Sequence, residues 1–250
     1  GTRYRGGYHD FSIHPGGLAV FPRLIASEHQ VSFSSEVKPS GSARLDMLLG
    51  GGLAPGTATL ITGAAGVGKT TSAVFCMVAA LRRGERAAYF LFDERMPTLM
   101  TRSAALGLDL EPFIKSGQLK IQQIDPSEMS PGEFAVTVRD AVEGDGASVV
   151  LIDSLNAYLQ SMPDEQFLLL QMHELLSYLS QQGVIAMLIL GFHGLIGDAR
   201  ADLDLSYLAD TVIQLRFFEA EGRVRQAIAV VKTRTTQHER TIREFQIDSS

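Results

Sequence analysis

Residues 63–71 read Gly-Ala-Ala-Gly-Val-Gly-Lys-Thr-Thr. Small residues at this density let the backbone turn tightly and aim several N–H groups at one point. The lysine and threonines that follow set a mobile cation and hydroxyls beside that point. The spacing Gly63-x-x-x-x-Gly68-Lys69-Thr70 is that of a phosphate-binding loop of the Walker A type. Gly63, Ala64, Ala65, Gly66, Val67, Gly68, Lys69, Thr70 and Thr71 are therefore the residues expected to hold the phosphates of ATP. Lys69 would serve the β- and γ-phosphates and the Thr70 hydroxyl a Mg²⁺ ion. A helix starting near Gly68 would add its positive end.

A metal shell needs a carboxylate, and hydrolysis needs a group that orients or deprotonates the attacking oxygen. The run Ser-Val-Val-Leu-Ile-Asp ends at Asp153, which suits a Walker B aspartate at the carboxyl end of a buried strand. A second run, Tyr-Phe-Leu-Phe, leads into Asp93 and Glu94. Adjacent side chains on extended backbone point opposite ways, so one of the two is expected to face a γ-phosphate and act through water. The competing reading makes them acidic first-turn residues of a helix ahead of Pro97. His193 ends an apolar run near the same place, where it would be either a phosphate sensor or a packing residue. His173, inside a helical pattern, reads as an ordinary helix histidine. No His, Cys and carboxylate cluster has zinc-ligand spacing, and the Ser154 environment lacks the flanking glycines of a nucleophile elbow.

These groups must be placed by strands and helices, and the pattern for both is clear. Apolar runs at 57–63, 87–92, 119–124, 148–153 and 184–190 are nearly continuous in Val, Ile, Leu and Ala, as strands buried on both faces are. Between them lie helical stretches with stop and start residues: Gly84 after residues 69–83, Ser130-Pro131-Gly132-Glu133 as a capped start, and Pro163 to Gly183. Alternating strand and helix predicts an α/β fold with a mainly parallel sheet flanked by helices. The last third changes character. Residues 211–219 and 223–234 read as a hairpin and 241–247 as a further strand, so an antiparallel extension is expected.

The chain has 250 residues, enough for one domain with an appendage, and a net charge of -6. That balance supplies no general attraction to nucleic acid or anionic membrane. The stretches after Asp153 and around 194–206 are acidic or uncharged rather than basic. The longest apolar run, Val184 to Phe192, is far short of the roughly 20 residues of a membrane helix. Cys76 is the one cysteine, so no intrachain disulfide forms and a cytoplasmic protein is expected.

With these residues in view, a resemblance can be stated. Residues 40–71, with Ser-Gly, Leu-Asp and Gly-Gly-Gly ahead of the phosphate loop, resemble the opening of RecA-superfamily ATPases, and more narrowly of KaiC-like ATPases. Phe-Asp-Glu-Arg at 92–95 sits where that family carries two consecutive catalytic carboxylates. Residues 152–159 resemble its Walker B segment, and residues 204–247 its C-terminal part, including Lys232-x-Arg234-x-x-x-His238. The resemblance implies a RecA-like P-loop fold and a homo-oligomeric, six-membered ring with ATP between subunits. Thr70 and Asp153 would hold Mg²⁺. Asp93 and Glu94 would be catalytic together with Lys69, and Lys232 and Arg234 would reach the neighbour's nucleotide. Without the resemblance, those two cations read equally as solvated residues on one face of a strand. Two departures matter. Asp93 is shorter than the glutamate of the family's kinase domain, and Tyr207 replaces the second of two adjacent phosphorylated residues. Ser206 matches the first, so it is either an autophosphorylation site or a polar segment-end residue. His9 to Leu24 resembles the junction between the family's two tandem domains. Residues 1–38 are then the tail of a preceding domain and a linker, and residues 39–250 the ATPase domain. The expected function is Mg²⁺-dependent ATP hydrolysis in timing or signalling, with signalling-protein partners. A nucleotide-gated binding module and a DNA-acting ATPase are the alternatives.

Overall fold

The continuous apolar runs become the middle of an eight-stranded sheet. In this computed structural model, residues 6–7, 9–160, 165–192 and 206–247 are described. The chain opens with β1 (Asp10–His14) and β2 (Gly17–Phe21), an antiparallel ribbon separate from the main sheet. Then follow α1 (Ala43–Leu49), β3 (Ala58–Ala64), α2 (Lys69–Arg82), β4 (Ala87–Leu91), α3 (Met96–Ala105), α4 (Glu111–Lys115), β5 (Leu119–Gln123), α5 (Pro131–Glu143), β6 (Val149–Asp153), α6 (Leu155–Leu159), α7 (Glu165–Gln181), β7 (Ile185–Phe192), β8 (Thr211–Ala220), β9 (Arg223–Thr233) and β10 (Ile242–Phe245).

The strand order is β10-β9-β8-β3-β7-β6-β4-β5. From β8 to β5 every pairing is parallel, while β9 and β10 are antiparallel, as the change of pattern near residue 211 predicts. Every residue of β3, β4 and β6 is buried, because helices cover both faces. On one face α5 and α7 contribute Phe134, Val138, Leu168, Met172 and Tyr178. On the other, α2 and α3 contribute Val74, Met77, Leu81 and Leu99, with Cys76 buried among them. The helix ends follow their predicted signals. Ser130 Oγ accepts from Glu133 N at 3.2 Å at the start of α5, and Gly84 takes up φ +90° just past α2.

The β1–β2 ribbon lies on α5, where the Gly132 N–H donates to Asp10 Oδ2 at 2.6 Å. Its other face leaves Phe11, Ile13, Leu18 and Val20 more than half exposed. The similar Phe-x-Ile segment at the far end of the chain behaves differently, since Phe245 of β10 packs against the α2 side of the core.

At the end of β3 the sheet leaves no room for a side chain. A Cβ on Gly63 would lie 2.3 Å from the Leu215 carbonyl oxygen of β8 and 2.8 Å from Val67 Cγ1. Backbone cannot yield as a flexible side chain does. We expect Gly63→Ala to cost about 2 kcal/mol through overpacking. In a chain of this size that lowers Tm by roughly 4–8 °C, measurable by thermal unfolding without nucleotide.

Candidate active site

β3, β6 and β4 end at the same edge of the sheet, with β7 between the first two. Their C-terminal loops therefore open onto one place. The first loop carries residues 63–71. Gly68 stands at the N-terminus of α2 with φ +100° and no side-chain cap, so the first N–H groups of a 14-residue helix remain available to an anion. Lys69 Nζ folds back onto the Ala64 carbonyl at 2.8 Å. Its burial lowers the lysine pKa, against the pull of Asp153.

Asp153 is the last residue of β6 and only 7% exposed. Thr70 Oγ1 donates to its Oδ2 at 2.8 Å. Burial raises the Asp153 pKa more than its hydrogen bonds from Thr70 and Tyr89 lower it. A desolvated carboxylate beside a hydroxyl is a hard-oxygen donor set, and its unmet need is positive charge. Among the described residues no group of three or more His, Cys, Asp or Glu could hold a metal ion. Thr70 and Asp153 by themselves are two hard-oxygen donors, a set compatible with an ion such as Mg²⁺ that takes the rest of its shell from phosphates and water.

Asp93 and Glu94 follow β4 and part company, as adjacent side chains should. The Ser154 hydroxyl donates to Asp93 Oδ2. Glu94 Oε2 accepts from Arg102 Nη2 at 2.8 Å. Burial raises the Glu94 pKa and the Arg102 charge opposes that rise. The helix-cap reading of this pair is ruled out, because α3 starts at Met96 with Arg95 at its N-cap. Asn156 completes the edge. Its side-chain Oδ1 accepts from Gly191 N at 2.7 Å and its Nδ2 donates to Gly191 O at 3.2 Å, which ties α6 to β7.

A cleft of about 620 Å³ begins at Thr71 and Ser72 and runs between α2 and β10. Leu45, Phe75, Leu106, Leu108, Phe245 and Ile247 give it largely apolar walls.

Lys232 and Arg234 are not part of this cluster. Strand register sets Lys232 level with Val212 of β8 and hence Leu60, near the start of β3, whereas the phosphate loop follows the end of β3. Lys232 Nζ donates to the carbonyls of Ser206 and Ala209 at 2.7 and 2.8 Å. Arg234 Nη1 lies 3.5 Å from Asp210 Oδ1. Ser206 and the two cations are therefore neighbours of one another. His193, and most of the segment judged for nucleic-acid contacts, fall outside the described residues. His173 is an exposed residue of α7, in keeping with an ordinary helix position.

Sequence reasoning missed Tyr89, Arg102, Ser154 and Asn156. Ser154 follows Asp153 directly and Asn156 comes two residues later, and Arg102 lies in the helix that follows Glu94, so position alone was a signal for these. Tyr89 looks like any strand aromatic.

A family model described as "ATPase: KaiC" matches residues 38–250. The chain belongs to the KaiC ATPase family. The circadian clock protein KaiC3 of Synechocystis sp. (strain ATCC 27184 / PCC 6803 / Kazusa) is 30% identical over 255 residues, covering 99% of this chain and 49% of the relative. The circadian clock oscillator protein KaiC of Synechococcus elongatus (strain ATCC 33912 / PCC 7942 / FACHB-805) is 28% identical over 254 residues, covering 99% and 47%. The circadian clock protein KaiC2 of the same Synechocystis strain is 28% identical over 249 residues, covering 98% and 43%. The chain spans about half the length of the curated relatives it matches. Its RecA-like α/β architecture agrees with that membership. Among the described residues no helix is long and apolar enough to cross a membrane.

The Asp153 shift has a consequence for stability. A carboxylate whose pKa is raised on folding holds its proton more tightly in the native state. Its contribution to stability therefore falls as pH rises from its unfolded value, about 3.9, through its raised folded value. Without metal, the ionised form opposes folding relative to the protonated one. We expect Asp153→Asn, which keeps an acceptor for both hydroxyls, to raise the metal-free Tm at pH 7, with each kcal/mol appearing as roughly 2–4 °C. The gain should shrink toward pH 4 in melts across that range.

Proposed function

We propose that this domain binds Mg²⁺-ATP and hydrolyses it within a ring of identical subunits. The observation that carries this reading is the 2.8 Å bond between Thr70 and Asp153, which joins the phosphate loop to the end of β6. The amides of residues 63–71 and the open end of α2 would cradle the phosphates. Lys69 would leave the Ala64 carbonyl for the β- and γ-phosphates, and the adenine would enter the cleft beyond Ser72. Thr70 and Asp153 would hold magnesium, which when bound neutralises charge developing on the phosphate oxygens.

Glu94 is the better candidate for the group that orients or deprotonates water. It is partly buried, its pKa is lifted by that burial, and the Arg102 charge opposes the rise. Asp93 holds the Ser154 hydroxyl instead. An ion-paired base and a shortened partner favour slow turnover.

Lys232 and Arg234 lie far along the sheet from their own phosphate loop, which supports a role in a neighbour's site. Ser206 travels with them, so autophosphorylation at Ser206 belongs to this reading. A subunit that delivers Lys232 to the adjacent γ-phosphate brings the Ser206 segment with it. The relatives' names refer to circadian clocks, and we extend to this chain a part in timing or signalling in which a protein partner reads the ring's nucleotide state. Residues 1–38 fit the tail of a preceding domain. The exposed Phe11 and Ile13 are what a Phe-x-Ile strand shows when the core it normally covers is elsewhere.

Three measurements test this. In mixtures, Lys69→Ala subunits (no working loop) and Arg234→Ala subunits (no donated cation) should regain ATPase activity that neither has alone; a mixture no better than its parts rejects the shared site. Arg234→Ala alone should lose at least roughly 10³-fold in turnover, the scale of a trans arginine. Removing the Arg102 charge lets the Glu94 pKa rise, and a base must be deprotonated to act. Arg102→Met should therefore shift the acid limb of the pH–rate profile to higher pH.

A further inference from the structure

β4 carries one polar side chain in its buried middle. Tyr89 is fully buried on the face that packs against α2. Its hydroxyl donates to Asp153 Oδ2 at 2.9 Å. The same oxygen accepts from Thr70 Oγ1 at 2.8 Å. Strand register explains the reach. Tyr89 pairs with Leu151, and Leu91 with Asp153, so the phenol spans the diagonal to a residue two positions further along β6. Such diagonals of about 7–8 Å are within an aromatic side chain's length. Phenylalanine or leucine would fill this space without bringing a hydroxyl into the core. Burying that hydroxyl is tolerable only because it has a charged acceptor.

We propose that Tyr89 is a positioning residue for the divalent cation. Tyr89 and Thr70 grip Oδ2 from two sides, fix the rotation of the Asp153 carboxylate, and leave Oδ1 to face the cation's shell. The proposal rests on the reading of Asp153 as the metal-shell carboxylate, and it adds a determinant of metal affinity that lies outside the loop motifs. Groups that orient a metal ligand in this way typically contribute 10–100-fold in affinity.

The test is a Mn²⁺ titration of the whole 250-residue chain at saturating ADP, with free Mn²⁺ read by electron paramagnetic resonance. ADP binding in EDTA and thermal unfolding are measured beside it. Tyr89→Phe should weaken Mn²⁺ binding about 10–100-fold while metal-free ADP affinity stays within about twofold. Tyr89→Leu carries the same expectation and serves if the phenylalanine variant unfolds. Asp153→Asn separates the two levels of the argument. If it leaves Mn²⁺ affinity unchanged, the reading of Asp153 fails and the Tyr89 role fails with it. If Asp153→Asn weakens Mn²⁺ binding and both Tyr89 variants match the parent, the Tyr89 role alone is overturned. Equal losses of Mn²⁺ and metal-free ADP affinity in the Tyr89 variants also overturn it, since they mark general disruption of the site.

Discussion

A negative charge held out of water at the end of a parallel strand is the constraint around which this domain is organised. Asp153 cannot move to solvent, because β6 lies between β7 and β4 and every one of its residues is buried. Two hydroxyls soften the cost of that charge without cancelling it. Lys69 carries the opposite problem, an ammonium whose burial disfavours its charge. The two groups face the same small volume. A ligand that is itself both anionic and accompanied by a cation relieves both at once, which a purely anionic or purely cationic ligand cannot do.

The sheet decides which groups can share that volume. Ligands of open α/β sheets gather at the carboxyl ends of the strands, where neighbouring connections diverge. Here β3 lies between β7 and β8, and the loops after β3 and β4 and the last residue of β6 bring together the glycine-rich turn and the three carboxylates. β9 runs the other way, so its C-terminal residues emerge toward the opposite edge. The same antiparallel turn that extends the sheet thus removes Lys232 and Arg234 from the chain's own site. It seats them on the carbonyls of the Ser206 segment.

Much of this architecture is legible in the sequence. Continuous Val and Ile runs mark strands covered on both faces, and β3, β4, β6 and β7 fall where those runs do, within a residue or two. The glycine-rich strand–turn–helix at residues 63–71 was legible because its signals are local, with spacing, glycines and a helix start all lying within nine residues. Asp153 ends an apolar strand, which is common by itself; only the upstream Gly-rich loop singled it out, and the structure sets it beside Thr70. What could not be read depends on distance across the fold. Nothing near Tyr89 in the chain announces a partner 64 residues away. The divergence of Asp93 and Glu94 follows from strand alternation; the places of Ser154 beside Asp153 and of Arg102 in the next helix are hints, but which carboxylate each meets depends on how β6 and α3 pack. The short helices α1, α4 and α6 were also unseen, since one or two turns produce too little periodicity to separate from a loop.

The Tyr89–Asp153 bond has one more outcome, which concerns light rather than affinity. The chain has six tyrosines and no tryptophan, so its ultraviolet emission comes from phenols alone. A phenol bonded to a carboxylate is poorly emissive, because the excited ring passes its proton to the acceptor. A cation drawn to Asp153 would compete for that acceptor's electron density and change the Tyr89 signal. Tyr89 would thus report on Asp153 from a place that solvent and added quenchers do not reach.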